Sequence, residues 1–194
     1  MPESAAIEIA ANPKRSVPPI CGRRVRLRLL EEADLPLTLA WRNRDAVRVW
    51  FTHSDVLSPE THRAWFEKYR VRDNDFVFVI ELPSENGPAR PVGQLSVYDI
   101  DWSRGTAEIG RLLVGEPDAE RRGYGVEAFR LLCGYSFTGL GLRTLLGRVL
   151  PHNSRSQALC LRCGFVNQGI GGGHVNLTLQ ASDWPPVWLR HKVA

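Results

Sequence analysis

The sequence predicts one domain of the α/β or α+β class. Three observations carry this prediction. Apolar runs of strand length occur along the whole chain, and segments with helical spacing of apolar residues lie between them. A chain of 194 residues that is 43% hydrophobic can also bury one core, but it is too short for two comfortable domains. The first 20 residues hold four prolines and no sustained periodicity, so we expect residues 1–22 to form a flexible arm and residues 23–194 the domain.

The domain is predicted to begin with a strand and two helices. In RRVRLRLL (23–30) apolar residues alternate with arginines, which is typical of a half-buried strand. EEADLPLTLAWRN (31–43) has acids and Pro36 near its start and is predicted to be helical. SPETHRAWFEKYRV (58–71) predicts a second helix, with Ser58 as its N-cap and a proline in its first turn.

Three strands and a helix are predicted next. DFVFVIEL (75–82) and PVGQLSVYDID (91–101) indicate a hairpin, because the SENGPAR segment between them contains the Asn-Gly signal of a turn. TAEIGRLLV (106–114) is a mostly apolar strand. The loop GEPDAERR leads to a helix with apolar residues at helical spacing, which Gly139 and Gly141 end.

The last elements are a strand, a helix and a hairpin. RTLLGRVL (143–150) predicts the strand, and NSRSQALCLRC predicts a helix that Asn153 caps and Gly164 closes. GFVNQGIGGGHVNLTLQ predicts a hairpin around its glycine triplet.

Charge and cysteine content narrow the class of partner. The net charge of +4 and the pI near 9.1 are mildly basic, so we expect no nucleic-acid partner, whereas an anionic small ligand fits. The chain has no apolar signal region and no apolar run long enough to span a bilayer, so we expect no membrane partner and a cytoplasmic location with Cys21, Cys133, Cys160 and Cys163 reduced. Cys160 and Cys163 form a lone CxxC in a predicted helix, and we expect no metal site.

The segment ERRGYGVEAF (120–129) predicts an anion site. Gly123 and Gly125 remove Cβ atoms where a helix begins, and the free amides and positive helix end there attract anions. Arg121 and Arg122 add positive charge. Together they predict a cradle for phosphate or pyrophosphate, with an ordinary tight loop carrying solvent-facing arginines as the alternative.

The same glycines also satisfy the dinucleotide-binding pattern GxGxxG/A. That pattern places the glycines directly after a strand, whereas eight residues follow Val114 here before Gly123. The next predicted strand also ends in LPHN, without the acid expected for a ribose. We therefore exclude a dinucleotide fold, and a phosphate-binding P-loop is excluded because GxxxxGK[ST] is absent.

Several motifs together resemble the GNAT superfamily of acyl-CoA-dependent N-acetyltransferases. Its signature Q/R-x-x-G-x-G/A covers residues 120–125, and AWRN, VRVWF, VGQLSVYDID, AEIGRLLV, NSRS and a later GF are most similar to the branch of RimJ/RimL-type ribosomal-protein alanine acetyltransferases. The resemblance runs from about Arg24 to Gln180. It implies a single-domain GNAT-like fold with a mixed central sheet of about six to seven strands flanked by helices.

The resemblance also implies acetyl-CoA as co-substrate and a set of residues that hold it. The pantetheine amides would pair with the backbone of Leu112, Leu113 and Val114, and the pyrophosphate would bind the amides of Arg121, Arg122, Gly123, Tyr124, Gly125 and Val126. Asn153 would face the pantetheine arm, and its alternative role is the helix cap alone. One side chain could do both.

Glu108 is the candidate general base, because the acceptor amine must lose a proton before it attacks the thioester. It corresponds to a glutamate that family members use as base. In a regular strand it would share a face with Val114, six residues on. The alternative is a structural ion-pair partner. A backbone N–H near Leu113 or Val114 would stabilise the developing oxyanion.

Two residues depart from the family pattern. Glu120 stands where the family prefers Gln or Arg, although Arg121 and Arg122 could compensate for the missing charge. Cys160 stands where many members carry the tyrosine that protonates the leaving thiolate. A small buried cysteine is the alternative reading of that position, so the general acid stays unassigned.

The acceptor is expected to be a small amine. The candidate acceptor-binding residues are the strand residues Gln94, Ser96 and Tyr98, which alternate onto one face, and Arg42, Asn43 and His53, in or beside the loop between the first helices. A polar set with Arg42 and His53 suits a phosphorylated or carboxylated amine. The WRN and VRVWF segments also resemble those of nucleotide-amino-sugar acetyltransferases, which favours an amino sugar or a nucleotide amino sugar over a protein N-terminus. A non-catalytic acyl-CoA-binding domain is a third possibility. The chain could be a monomer or a homodimer.

Overall fold

The computed structural model describes residues 17–51, 53–84 and 87–184. Residues 1–16 of the predicted arm, and Asn86 of the predicted Asn-Gly turn, lie outside the described residues. At the C-terminal end of the predicted arm, Ile20–Cys21 form strand β1 and so belong to the sheet. Ile20 packs against the main core, and Gly22 N donates to Val25 O to close the turn into the next strand.

One mixed sheet of eight strands forms the centre of the domain, in the order β1-β2-β3-β4-β5-β6-β8-β7. Only β5 and β6 run parallel among the pairs of this sheet. The count exceeds the predicted six to seven because β1 adds a strand. The strands after β1 are β2 (Arg26–Leu29), β3 (Asp75–Leu82), β4 (Arg90–Asp101), β5 (Thr106–Val114), β6 (Thr144–Val149), β7 (Val166–Gly171) and β8 (His174–Gln180).

Five α-helices flank the sheet in the described part of the chain. They are α1 (Leu35–Asn43), α2 (Asp45–Arg48), α3 (Pro59–Tyr69), α4 (Tyr124–Thr138) and α5 (Ser154–Arg162). Both predicted side-chain caps are confirmed, since Ser58 accepts from Thr61 N and Asn153 accepts from Ser156 N. Over the described residues, no helix combines the length and apolar character that a membrane crossing requires.

The sheet is covered on both faces, which makes three layers. The main core packs one face of the sheet against α4 and α5. A smaller cluster lies between the other face and helices α1 and α3, and it contains Leu30, Leu35, Phe66, Tyr69, Val77 and Val79. This second cluster stops at β3. Beyond it, the same face carries the polar side chains of Ser96, Tyr98, Glu108 and Arg148 and the exposed Leu146.

Candidate active site

Strands β5 and β6 form a fork. They pair in three rows only, from Thr106↔Thr144 to Glu108↔Leu146, and then each continues without the other. Glu108 therefore lies where the two strands separate. Because both strands run in the same direction, the loops that follow them flank the open end of the fork.

A β-bulge in β5 changes which residues share a face. Gln94 pairs with Leu113 and Ser96 with Gly110, so two residues of β5 lie opposite Leu95 alone. Ile109 belongs to the main core, and Val114 packs against the same core. Glu108, next to Ile109 in the strand, faces the opposite side of the sheet. The prediction that Glu108 and Val114 share a face is therefore wrong, because it assumed a regular strand.

The side chain of Glu108 is 8% exposed and both of its oxygens are engaged. Oε1 accepts a hydrogen bond from the Tyr98 hydroxyl, and Oε2 accepts from the guanidinium of Arg148. Burial and the Glu108 carboxylate raise the pKa of Tyr98, so the phenol keeps its proton at neutral pH. The hydrogen bond to Glu108 raises the pKa of Arg148 further. The ion pair that was the alternative role of Glu108 is thus present.

Two residues with positive φ bracket this pair. Asp99 (φ 50) lies in a second bulge, in β4, and Arg111 (φ 52) in the bulge of β5. Non-glycine residues rarely adopt this conformation, and bulges re-aim side chains. The carboxylate of Asp99 lies 3.7 Å from Arg148 Nη2, and the guanidinium carbon of Arg111 lies 3.6 Å from the centre of the Tyr98 ring.

Arg111 also donates to the buried carboxylate of Asp75, with Nη1 3.1 Å from each oxygen. Asp75 pairs with Tyr98 across β3 and β4, and Tyr98 pairs with Glu108 across β4 and β5. Because Arg148 of β6 also binds Glu108, a continuous polar network crosses four strands, β3 to β6. Sequence reasoning found Tyr98 and Glu108. It missed Arg111 because a bulge gives no signal in the alternation of a single strand, and it missed Asp75 and Arg148 because their contacts depend on the tertiary fold.

The start of α4 leaves a run of backbone amides without backbone acceptors. Glu120 N donates to Pro117 O and Glu127 N donates to Gly123 O, and in the described chain no backbone carbonyl accepts from the amides of residues 121–126. Gly123 (φ 83) and Arg121 (φ 58) turn the chain in the left-handed region. These are the amides of the predicted anion site, and unpaired amides at the start of a helix suit an anionic group.

Two arginines that sequence reasoning missed brace the cradle from either side. Arg24 Nε lies 2.9 Å from Glu127 Oε2, and Arg24 Nη1 donates to Arg122 O. On the other side, Arg44 Nη2 lies 3.2 Å from Glu120 Oε1. The acid at position 120 therefore has a partner from the end of helix α1.

Helix α1 also packs directly on the loop before the cradle. The indole nitrogen of Trp41 donates to Glu116 Oε1 at 2.8 Å, and Arg44 donates to Gly115 O. A Cβ atom at Gly115 would lie 2.1 Å from the indole ring. Gly115 is thus required by close packing rather than by a ligand.

The first group of predicted acceptor residues lies around the segment after α2. Arg42 donates to the carbonyl of His53 and stacks 3.9 Å above the Phe51 ring. Both ends of the Asn43 amide bind the backbone of Leu57, at 2.8 and 2.9 Å. Arg42 and His53 are thus brought together, whereas Asn43 holds the backbone of the loop before α3 in place.

This segment also reaches the open end of the fork. The ring of Trp50, after α2, lies 5.9 Å from that of His152, in the loop after β6. Trp50 is 48% exposed, so the contact leaves a large apolar surface at the mouth of the fork.

The second group of predicted acceptor residues shares one face, as expected. Gln94, Ser96 and Tyr98 pair with Val79, Val77 and Asp75 of β3, on the side away from the main core. Among the described residues, the buried hydroxyl of Ser96 has no hydrogen-bond partner. Ser96 is fully buried two residues before Tyr98 on this strand.

Asn153 and Cys160 lie on α5, after the end of β6. Asn153 Oδ1 accepts from Ser156 N at 3.1 Å, which uses the carbonyl end of its amide for the cap. Cys160 is 4% exposed in the main core, and burial raises the pKa of its thiol to about 12. In the described chain, no three His, Cys, Asp or Glu side chains are grouped to hold a metal ion.

Comparisons with known proteins point to one family. The family model of the acetyltransferase (GNAT) domain matches residues 24–166. The probable N-acetyltransferase YjcK of Bacillus subtilis is 29% identical over 184 residues, which span 89% of this chain and 93% of that protein.

Two solved structures show a similar fold. Spermidine N-acetyltransferase from Vibrio cholerae, in complex with CoA and spermine, has a TM-score of 0.73 at 20% identity, over 82% of this chain and 97% of that one. FdhC, a nucleotide-linked sugar GNAT, has a TM-score of 0.71 at 20% identity, over 82% and 88%. At these identities the likeness shows the fold alone.

Proposed function

Since the chain belongs to the acetyltransferase (GNAT) domain family and is an acyl-CoA-dependent N-acetyltransferase, we propose that its acceptor is the primary amine of a small molecule such as an amino sugar or a nucleotide amino sugar. The acetyl group of acetyl-CoA passes directly to this amine in a ternary complex. One observation carries the proposal. The buried carboxylate of Glu108 lies at the apex of the fork, and unpaired amides lie at the fork's open end.

The residues around the fork fit acetyl-CoA. The amides of residues 121–126 bind the pyrophosphate, assisted by the positive end of α4 and the charges of Arg121 and Arg122. Leu112, Leu113 and Val114 lie on β5 beyond its last row with β6, so their backbone is free on the β6 side to pair with the pantetheine amides. Asn153 binds the same arm through the amide end that the cap leaves unused.

Glu108 is the general base of this proposal. Its carboxylate takes a proton from the acceptor ammonium, and the resulting amine attacks the thioester carbonyl that acetyl-CoA supplies. The second proton of the attacking nitrogen leaves with the thiolate as CoA forms. Tyr98 holds Glu108 in place, and a backbone N–H near Leu113 or Val114 stabilises the developing negative charge on oxygen.

The polar face beside Glu108 supports a small cationic acceptor. Asp75 is paired with two arginines, Arg72 and Arg111. At the other end of the network, Glu108 and Asp99 share the cation of Arg148, and this local excess of negative charge attracts an ammonium group.

A protein N-terminus is the second candidate acceptor. The exposed Trp50 beside His152 favours it, because an apolar contact at the mouth of the fork suits a peptide. A non-catalytic acyl-CoA-binding domain is the third. The engaged Glu108 is consistent with it, since an ion pair can have a structural role alone.

Incubation with acetyl-CoA and a mixed panel of amines tests the proposal. The panel contains nucleotide amino sugars, aminoglycosides, polyamines and short peptides with free N-termini, and mass spectrometry reports acetylation. We expect an acetylated sugar or other small amine. Acetylated peptides alone would favour the second candidate.

The variant Glu108→Gln separates an enzyme from a binding domain. Loss of a general base lowers turnover by about 10²- to 10⁴-fold, whereas acetyl-CoA binding measured by calorimetry should stay unchanged. The exposed Glu67→Gln is the matched control, because its partner Arg70 lies at the end of α3. Acetyl-CoA binding without any turnover in the unaltered protein would contradict the proposal.

A further inference from the structure

Arg148 occupies the side of Glu108 from which an acceptor has to approach. Glu108 Oε1 is taken by Tyr98 from within the sheet, and Oε2 faces Arg148. The Arg148 side chain is 55% exposed, whereas the Glu108 side chain is 8% exposed. A solvent-facing cation therefore covers a buried anion at the apex of the fork.

A buried carboxylate that loses its cation is costly, so any group that displaces Arg148 has to be a cation itself. An ammonium group meets this condition, because it is compact, charged and a hydrogen-bond donor. A neutral amide does not meet it. The nitrogen of the substrate of an N-acetyltransferase carries a positive charge as an ammonium group, whereas the nitrogen of the product is an uncharged amide.

Asp99 provides a second anchor for the displaced arginine. Its carboxylate already lies 3.7 Å from Arg148 Nη2, and the side chain of Asp99 is exposed. The bulge that gives Asp99 its positive φ aims this carboxylate toward Arg148. Arg148 can thus leave Glu108 without losing an ionic partner.

Resting on the proposed function, we propose that Arg148 occupies the ammonium subsite of the acceptor, and that the acceptor's ammonium displaces it from Glu108 onto Asp99. The exchange selects cationic amines, because a neutral ligand leaves Glu108 without a counter-ion. After transfer the nitrogen is an uncharged amide. Once Glu108 has lost its extra proton to solvent, Arg148 pairs with it again and displaces the product.

Kinetics on any amine that the unaltered enzyme acetylates provide the first test. In Arg148→Gln the amine no longer competes with a resident cation, so its KM should fall, by roughly two- to fivefold if the pair has the strength of other part-exposed pairs. In Asp99→Asn the displaced arginine loses its anchor, so KM should rise. Arg63→Gln is the control, because it breaks an exposed ion pair between Arg63 of α3 and Glu32, which precedes α1, and it should leave KM unchanged. A higher KM in Arg148→Gln would overturn the proposal, since Arg148 would then bind the acceptor.

A second test needs no turnover. Arg148→Ala leaves Glu108 without its cation and should lower the melting temperature, and ethylammonium chloride should restore it more than sodium chloride of equal ionic strength. The double variant Glu108→Gln with Arg148→Ala should lose this specific rescue, because the anion is gone. Absence of rescue in Arg148→Ala would overturn the cation subsite. Rescue in a protein that acetylates no amine would refute the proposed function while supporting the subsite.

Discussion

Tyr98 lies directly opposite Glu108 across β4 and β5, and its hydroxyl donates to Glu108 Oε1. The pair lies between two bulges, which bring Asp99 and Arg111 to the same place. Backbone strain of this kind costs about 1–3 kcal/mol per residue and is commonly stored at functional sites. The strand irregularities and the fork therefore mark the same point in the sheet.

The variant Tyr98→Phe should lower kcat/KM for the acceptor by at least about tenfold. A hydrogen bond to a charged group contributes about 1.5–3 kcal/mol, and its loss lets the Glu108 carboxylate move away from the acceptor. The affinity for acetyl-CoA should stay unchanged, because Tyr98 faces away from the cradle. Steady-state kinetics and calorimetry measure the two effects separately.

Tyr135→Phe is the matched control for this variant. Its ring packs on Phe78 in the main core, on the other face of the sheet. Equal losses of kcat/KM in both variants would indicate a general effect of removing a tyrosine hydroxyl and would contradict the role of Tyr98.

The variant Gly123→Ala should weaken acetyl-CoA binding by roughly tenfold. Gly123 has φ 83, and a Cβ atom there costs about 1–2 kcal/mol in the left-handed region, which the turn relieves by moving its amides. Gly141→Ala is the control, because Gly141 has φ 68 and no neighbour within 4 Å of an added Cβ, at the far end of α4. Calorimetric titration should show weaker binding in the first variant only, and equal affinities would contradict a pyrophosphate site at residues 121–126.

The order and type of most elements could be predicted from the sequence. Strong apolar patterns such as DFVFVIEL and TAEIGRLLV, and caps such as Ser58 and Asn153, depend on neighbours in sequence alone. The short strand Ile20–Cys21 escaped prediction because two residues carry no periodicity. Its pairing depends on β2, five residues on.

The residues around Glu108 were harder to predict. Strand alternation placed Gln94, Ser96 and Tyr98 on one face. No local signal indicated a bulge at Arg111, however, and one inserted residue moves every later side chain of the strand to the opposite face of the sheet. Arg148 pairs with Glu108 from 40 residues away, across parallel strands, so only the tertiary fold reveals the contact.

Removal of the Cys160 thiol should leave turnover unchanged. Burial raises the pKa of this thiol to about 12, well above that of an ordinary thiol, so Cys160 is a poor proton donor to a thiolate. Cys160→Ala should therefore keep its kcat and lose only about 1 kcal/mol of unfolding free energy, for the lost packing. A large drop in kcat with unchanged acetyl-CoA affinity would instead identify Cys160 as the proton donor.

The two roles of Asn153 can be separated by one pair of variants. Aspartate caps helices as well as asparagine, so Asn153→Asp should keep the melting temperature, whereas Asn153→Ala should lose about 1 kcal/mol of unfolding free energy. Both variants remove the amide N–H₂ that would face the pantetheine arm. If Asn153 binds acetyl-CoA, both should bind it more weakly, and calorimetry should show the loss in the stable Asn153→Asp protein as well. An unchanged affinity for acetyl-CoA in Asn153→Asp would show that the amide N–H₂ does not bind it. Helix capping would then be the role of Asn153.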